Sequence, residues 1–253
     1  MKTLRDTALV FQRNLGLTLR NPAWSVIGVI QPLLYLLLFA PLLKSIATAQ
    51  GFPSGGAYNV FVPGLLIQLG LFGAAFVGFS LVAELRYGVV ERLQVTPVSR
   101  LALLLGRALR DVLILLVQSL ILVLLSLPFG LDIHPAGLLI MMGLLALIGL
   151  LMASCSYALA LWLKSEDALA PLLTAVTLPL LLLSGVLLPL SLAPAWLRHI
   201  AAANPLAYAV DAARAIFNDH LGDVSVIKGI AITAILAVIA LLVSARSFSR
   251  TVA

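Results

Sequence analysis

Long stretches almost free of charge constrain this chain more than any motif in it. A helix rises about 1.5 Å per residue, so crossing a hydrocarbon layer roughly 30 Å thick takes about 20 apolar residues. Six such runs can be drawn, approximately 23–43, 59–83, 112–129, 135–163, 168–190 and 224–245. Of 253 residues 62% are hydrophobic and 10% charged, against about 45–50% and about 25% in a soluble domain. The fold class predicted is therefore all-α: one polytopic membrane domain, 1–253, with six transmembrane helices.

The fifth run is the least regular. Pro171, Pro179, Ser184-Gly185 and Pro189 interrupt it, and a further apolar stretch, 193–215, carries Pro194 and Pro205. This pattern predicts a helix followed, over 191–223, by a hairpin that dips back into the bilayer, where protein or water must satisfy the broken backbone.

Lys and Arg collect in cytoplasmic loops, so the 16 basic residues report orientation. With both termini inside, Lys2, Arg5, Arg13, Arg20, Arg86, Arg92, Arg100, Arg107, Arg110, Lys164, Arg246 and Arg250 are cytoplasmic, leaving Lys44, Arg198, Arg214 and Lys228 outside. That asymmetry favours an even number of spans. It also accounts for the net charge of +6 without nucleic acid, because the basic residues flank apolar runs and form no aromatic-studded patch.

Over residues 1–22, Leu4, Ala8, Phe11, Leu15 and Leu19 recur at three- and four-residue steps, opposite Lys2, Asp6, Arg13 and Arg20. An interfacial helix is predicted, ended by Asn21-Pro22. With charges repeated ahead of the first oily run, no cleavable signal peptide is expected. The single cysteine, Cys155, permits no intrachain disulfide and reads as a small packing residue.

One short block breaks the oily pattern: between residues 83 and 107 stand Glu84, Arg86, Glu91, Arg92, Arg100 and Arg107. At about 100° per residue, Leu85, Val89, Val90 and Leu93 share one half of a helix and Glu84, Tyr87, Glu91, Arg92 and Gln94 the other. Arg86 alone falls on the apolar side, where its stem can lie along lipid. Thr96-Pro97 would end the helix. Orientation explains the arginines but not Glu84 and Glu91, and alternating signs suit a protein partner better than anionic lipid.

The run "RYGVVERLQVTPVSRLALLLGR", residues 86–107, resembles the cytoplasmic loop of type-2 ATP-binding cassette (ABC) transporter permeases, particularly the daunorubicin-resistance-like drug exporter branch. The run "LLLLSGVLLPLSLAPAWLRHIAAANPLAYAVDAAR", residues 180–214, is similar to the same family's stretch after the fifth span. One departure is Val89, where the family often has a small hydroxylated residue. The resemblance implies that residues 84–98 form a coupling helix seated on a separate ATP-hydrolysing subunit, with Glu84, Arg86, Glu91, Arg92 and Thr96 as contacts. It implies two copies of that ATPase subunit and a second permease subunit, identical or homologous. Solvated loop charges are the alternative for the acidic and basic residues.

Asn204, Pro205, Tyr208, Asp211 and Arg214 are expected to close the path on the outside. Asp211 and Arg214, three apart, could equally be a pair that only steadies the hairpin. Gly70, Ala74 and Gly78 form a small-residue stripe, read either as packing inside one subunit or as a dimer seam lining the path.

Several chemistries find no residues to carry them. No GxxxxGK[ST] loop is present, so the chain is expected to bind no cofactor and to leave ATP and magnesium to its partner subunit. His134, His199 and His220 are far apart and lack companion cysteines, arguing against a metal site. No GxSxG elbow occurs, and Ser154 and Ser156 are expected to hydrogen-bond within or between helices. The chain is thus read as a transport subunit and not an enzyme. Its spans hold no ionisable residue at mid-depth; Asp111, beside Arg107 and Arg110, reads as an interfacial ion pair. That weighs against the alternative, a stand-alone channel or ion-coupled secondary carrier. An apolar lining suits a hydrophobic or amphipathic substrate moved out across a bacterial inner membrane.

Overall fold

The computed structural model describes residues 2–20, 23–46, 56–89, 98–187 and 190–251, and all their regular structure is helical. Among the described residues ten α-helices follow one another. They are α1 (Lys2–Arg20), α2 (Ala23–Ile46), α3 (Gly56–Ala75), α4 (Gly78–Arg86), α5 (Arg100–Ser126), α6 (Pro135–Leu163), α7 (Glu166–Leu182), α8 (Ala195–Ala201), α9 (Pro205–Phe217) and α10 (Val224–Thr251). Among the described residues four stretches are long and apolar enough to cross a membrane: Tyr58–Arg86, Arg100–Phe129, Pro135–Leu163 and Val224–Phe248. The described apolar part of α2, Val26–Leu38, is shorter.

The bundle is centred on α3, which packs against α2, α5, α6, α7 and α9. Successive long helices run in opposite directions, so the core divides into two levels. Tyr58, Leu66, Leu122, Met141, Ile148 and Val210 belong to the level that holds α9. Val10, Leu81, Leu104, Tyr157, Leu169 and Phe248 belong to the level that holds α1 and α4. Outward-facing leucines and isoleucines on α2, α5 and α10 leave a broad apolar surface around this core, the pattern of a bundle solvated by lipid.

Several predicted boundaries shift. The helix drawn over 112–129 starts at Arg100, capped by the Ser99 hydroxyl, which accepts from the Ala102 amide at 3.2 Å. Its charged first third can enter the bundle because Arg107 and Arg110 find carboxylates there. The helix drawn over 59–83 is not continuous but bends at Phe76-Val77. At the bend the Ser156 hydroxyl of α6 accepts from the Gly78 amide at 2.9 Å and donates to the Ala75 carbonyl. A side chain inserted in the helical ladder is a recognised cause of a kink. The fifth run becomes a 17-residue helix, α7, that stops at the Leu183–Gly185 turn, where Gly185 takes φ 74.

Helix α1 lies along α5, pressing Val10 against Gly106, where an added Cβ would fall 2.7 Å from the valine. Thr7, Val10 and Asn14 face inward, while Leu4 and Leu19 of the predicted apolar stripe stay 76% and 70% exposed. The helix therefore has two working faces, one on the bundle and one free for lipid. Asn21-Pro22 lies outside the described residues. Cys155 is exposed on α6 and not packed inside as predicted.

Candidate functional site

The polar residues singled out in the sequence gather at the two ends of the bundle. At the α9 end, Asn204 caps α9: its Oδ1 accepts from the Leu206 amide at 3.0 Å while its Nδ2 donates to the Leu180 carbonyl of α7 at 2.7 Å. Pro205 follows at the first helical position, where its missing N–H leaves no bond unmade. The Tyr208 hydroxyl donates to the Ala202 carbonyl at 2.9 Å, folding α8 back on α9. These contacts fix a short helix pair between α7 and α10.

Arg214 behaves differently from its sequence reading. Among the described residues no direct ion pair joins it to Asp211. Its buried guanidinium instead donates from Nε to the Val60 carbonyl at 3.1 Å and from a terminal nitrogen to the carbonyls of Gly185 at 2.6 Å and Val186 at 3.4 Å. The last two carbonyls lie beyond the end of α7, so the arginine supplies hydrogen bonds that the broken helix cannot. Gly64 lets this turn approach α3, since an added Cβ would lie 2.4 Å from the Val186 oxygen. Tyr208, Asp211 and Arg214 line an open groove of about 500 Å³ with Leu190, Ser191 and Arg198.

Asn59 is a tie that sequence reasoning missed, having treated it only as the start of a span. Its Nδ2 donates to the carbonyls of Asp132 and Phe217, each at 3.1 Å, and its Oδ1 accepts from the Asp132 amide at 3.2 Å. One side chain thus joins α3, the turn before α6 and the end of α9. An asparagine beginning an apolar run signals only a boundary until those partners are known.

At the opposite end, Glu84 and Arg86 sit in the last turn of α4 and not in a separate amphipathic helix. Tyr87 and Gly88 form a turn there, with Gly88 at φ 64. Glu84 pairs with Arg107 of α5, whose side chain is 4% exposed. Arg86 reaches Glu166 of α7 at 3.7 Å, with both side chains substantially exposed. Asp111 pairs with Arg110 at 2.5 Å and accepts a hydrogen bond from the Tyr157 hydroxyl of α6. The sequence offered the arginines as partners for Asp111; Tyr157, a lone hydroxyl in an apolar run, gave no sign of its role. Glu91, Arg92 and Thr96 lie outside the described residues.

The small-residue stripe lies inside the bundle. An added Cβ on Gly70 would come within 3.0 Å of Ile148, and one on Gly78 within 2.6 Å of the Ser156 hydroxyl. Ala74 is buried beside Tyr157 and Ala153. All three let α3 and α4 approach α6 of the same chain. Gln68, Gln118 and Ser119 are further buried polar groups, between the two ends of the bundle.

An antiparallel bundle of long apolar helices, with its polar groups confined to the ends and to a few buried ties, defines an integral membrane protein. The chain belongs to the ABC-2 type transporter family, whose pattern matches residues 5–218. It is 34% identical over 204 residues to a candidate transport permease, ycf38, of Pyropia yezoensis, covering 79% of this chain and 69% of that one. It is 26% identical over 204 residues to the daunorubicin resistance ABC transporter permease protein DrrB1 of Streptomyces coeruleorubidus, covering 77% and 68%. A candidate doxorubicin resistance ABC transporter permease of Mycobacterium tuberculosis, DrrC, is 27% identical over 195 residues, covering 75% and 69%. The chain is therefore a membrane component of an ABC transporter, and membership implies association with an ATP-binding cassette ATPase.

Proposed function

We propose that this chain is the membrane-spanning permease subunit of an ABC exporter and moves a hydrophobic or amphipathic compound outward. The observation that carries the reading is the family match along most of the chain, joined by relatives named for resistance to daunorubicin and doxorubicin. ATP and magnesium are held by a separate nucleotide-binding subunit, present twice, and a second permease subunit completes the path. Six spans place both termini in the cytoplasm, with α2 and α7 as the first and fifth and the α8–α9 pair re-entering the bilayer from outside. The membrane is a bacterial inner membrane.

In this reading the stretch from the end of α4 to the start of α5 docks the ATPase through Arg86, Glu91, Arg92 and Thr96. Closure of two ATPase domains then turns the attached helices, a rigid-body movement of the kind that drives many switches. Asn204, Pro205, Tyr208, Asp211 and Arg214 shape the outer closure, with the arginine and asparagine holding the α7 break and Asp211 facing the groove. An interior lined by apolar side chains offers little to a strongly charged ion, which supports an oily cargo.

Charge reversal at Glu91 tests the docking. Glu91→Lys should lower copurification of the ATPase and reduce doxorubicin-stimulated ATP hydrolysis by the complex; unchanged values for both would overturn the docking role. In vesicles lacking the ATPase the chain should not move doxorubicin uphill, and active pumping there would overturn the exporter reading itself.

A further inference from the structure

The Glu84–Arg107 pair joins residues 23 apart in sequence, one on each side of the 90–97 segment. Glu84 lies in the last turn of α4 and Arg107 in the early turns of α5, so the pair bridges the helices that precede and follow that segment in the chain, the two arms. The arginine is 4% exposed and the carboxylate 26%, so the bond points into the bundle and not toward a partner. Asp111 stands one helical turn after Arg107 on the same face of α5. It accepts from Tyr157, a wholly buried residue of α6, and pairs with Arg110, which reaches Thr18 of α1 at 3.5 Å. Two separate polar groups one turn apart on α5 therefore tie it to its neighbours, Glu84–Arg107 to α4 and Asp111–Tyr157 to α6, with Arg110 reaching α1.

We infer that Glu84 and Arg107 are positioning residues that lock α4 and α5 into one lever, and that Asp111 and Tyr157 pass the lever's movement to α6. Burial gives the inference its force. An ion pair screened from water resists separation because parting it leaves an uncompensated charge, whereas an exposed pair such as Arg86–Glu166 opens easily. A push on the 90–97 segment cannot then be absorbed by splaying the two arms; it must move them together and carry α6 with them. Glu84 thereby leaves the set of expected ATPase contacts and acts as an internal brace. The inference rests on the proposed ATP-driven reading, which supplies the push.

Cys155, the chain's sole cysteine, is exposed on α6 two residues before Tyr157 and serves as a reporter. The permease is purified with its native ATPase subunit, spin-labelled at Cys155 and placed in lipid nanodiscs. The label's spectrum is compared without nucleotide and with ATP, magnesium and vanadate. The unaltered complex should show a nucleotide-dependent change. Glu84→Gln and Arg107→Gln should keep the ATPase bound and hydrolysing while shrinking that change about fivefold or more, the low end of common coupling energies. The charge exchange Glu84→Arg with Arg107→Glu should restore it. Tyr157→Phe removes a single hydroxyl, leaves the brace itself intact and should also blunt the response at α6. A full nucleotide response in both Gln variants would overturn the brace, as would loss of the ATPase with Glu84→Gln but not with Arg107→Gln. A full response in Tyr157→Phe would overturn the transfer to α6. An unaltered complex with no nucleotide response would overturn the ATP-driven reading and the brace with it.

Discussion

Replacing Arg214 with methionine keeps most of the side chain's length and bulk but removes its donors. Two near-ideal bonds disappear, to Val60 at 3.1 Å and Gly185 at 2.6 Å, together with a longer one to Val186 at 3.4 Å. Hydrogen bonds to a charged group contribute about 1.5–3 kcal/mol each in soluble proteins. Bonds between membrane helices average less, about 0.6 kcal/mol, because a chain unfolded in lipid finds other partners. Between those bounds, with the carbonyls beyond α7 left without a donor, a loss of about 2–4 kcal/mol is expected. The assay is reversible unfolding in mixed detergent micelles, with Asp211→Asn as the control. Asp211 is exposed and makes no direct ion pair with Arg214, so its neutralisation should change stability by less than about 1 kcal/mol. Arg214→Lys should fall between, since an ammonium keeps the charge but lacks the planar fork that spans separate carbonyls. Equal losses in Arg214→Met and Asp211→Asn would refute the carbonyl clamp and restore the ion pair as the stabilising feature.

Two other substitutions probe the close contacts. Ser156→Ala removes the hydroxyl that serves both Ala75 and Gly78 at the bend, and should destabilise the folded protein by about 1–3 kcal/mol in the same unfolding assay. Gly64→Ala places a Cβ 2.4 Å from the Val186 oxygen, so the α7 turn must shift; a lower yield of folded protein and a loss of about 1–3 kcal/mol are expected. A Gly64→Ala protein as stable as the parent would show that this turn does not pack on α3 as described.

The helical class and the position of α6 could be read directly, because an unbroken apolar run bounded by His134-Pro135 and Lys164 leaves little choice of ends. The start of α5 was less legible. Arg107, Arg110 and Asp111 look like loop charges in one dimension and become tolerable inside the bundle only when Glu84 and Tyr157 arrive from other helices. Likewise the spacing of Asp211 and Arg214 satisfied the rule for a helical pair, but two carbonyls beyond the broken helix, Gly185 and Val186, and that of Val60 in α3 competed for the guanidinium and took it.

By itself the sequence determined that this chain lives in lipid, that its charge sits near the helix ends, and which two stretches resemble a transporter family. Those properties follow from composition and short-range periodicity, which need no partner to be expressed. Tertiary structure alone decided what each polar side chain does: Glu84 braces α5, Ser156 fills a bend in a neighbouring helix, and the small-residue stripe packs inward. A buried polar group must find its hydrogen bonds wherever the fold brings them, and that location is a property of the packed helices and not of any one segment.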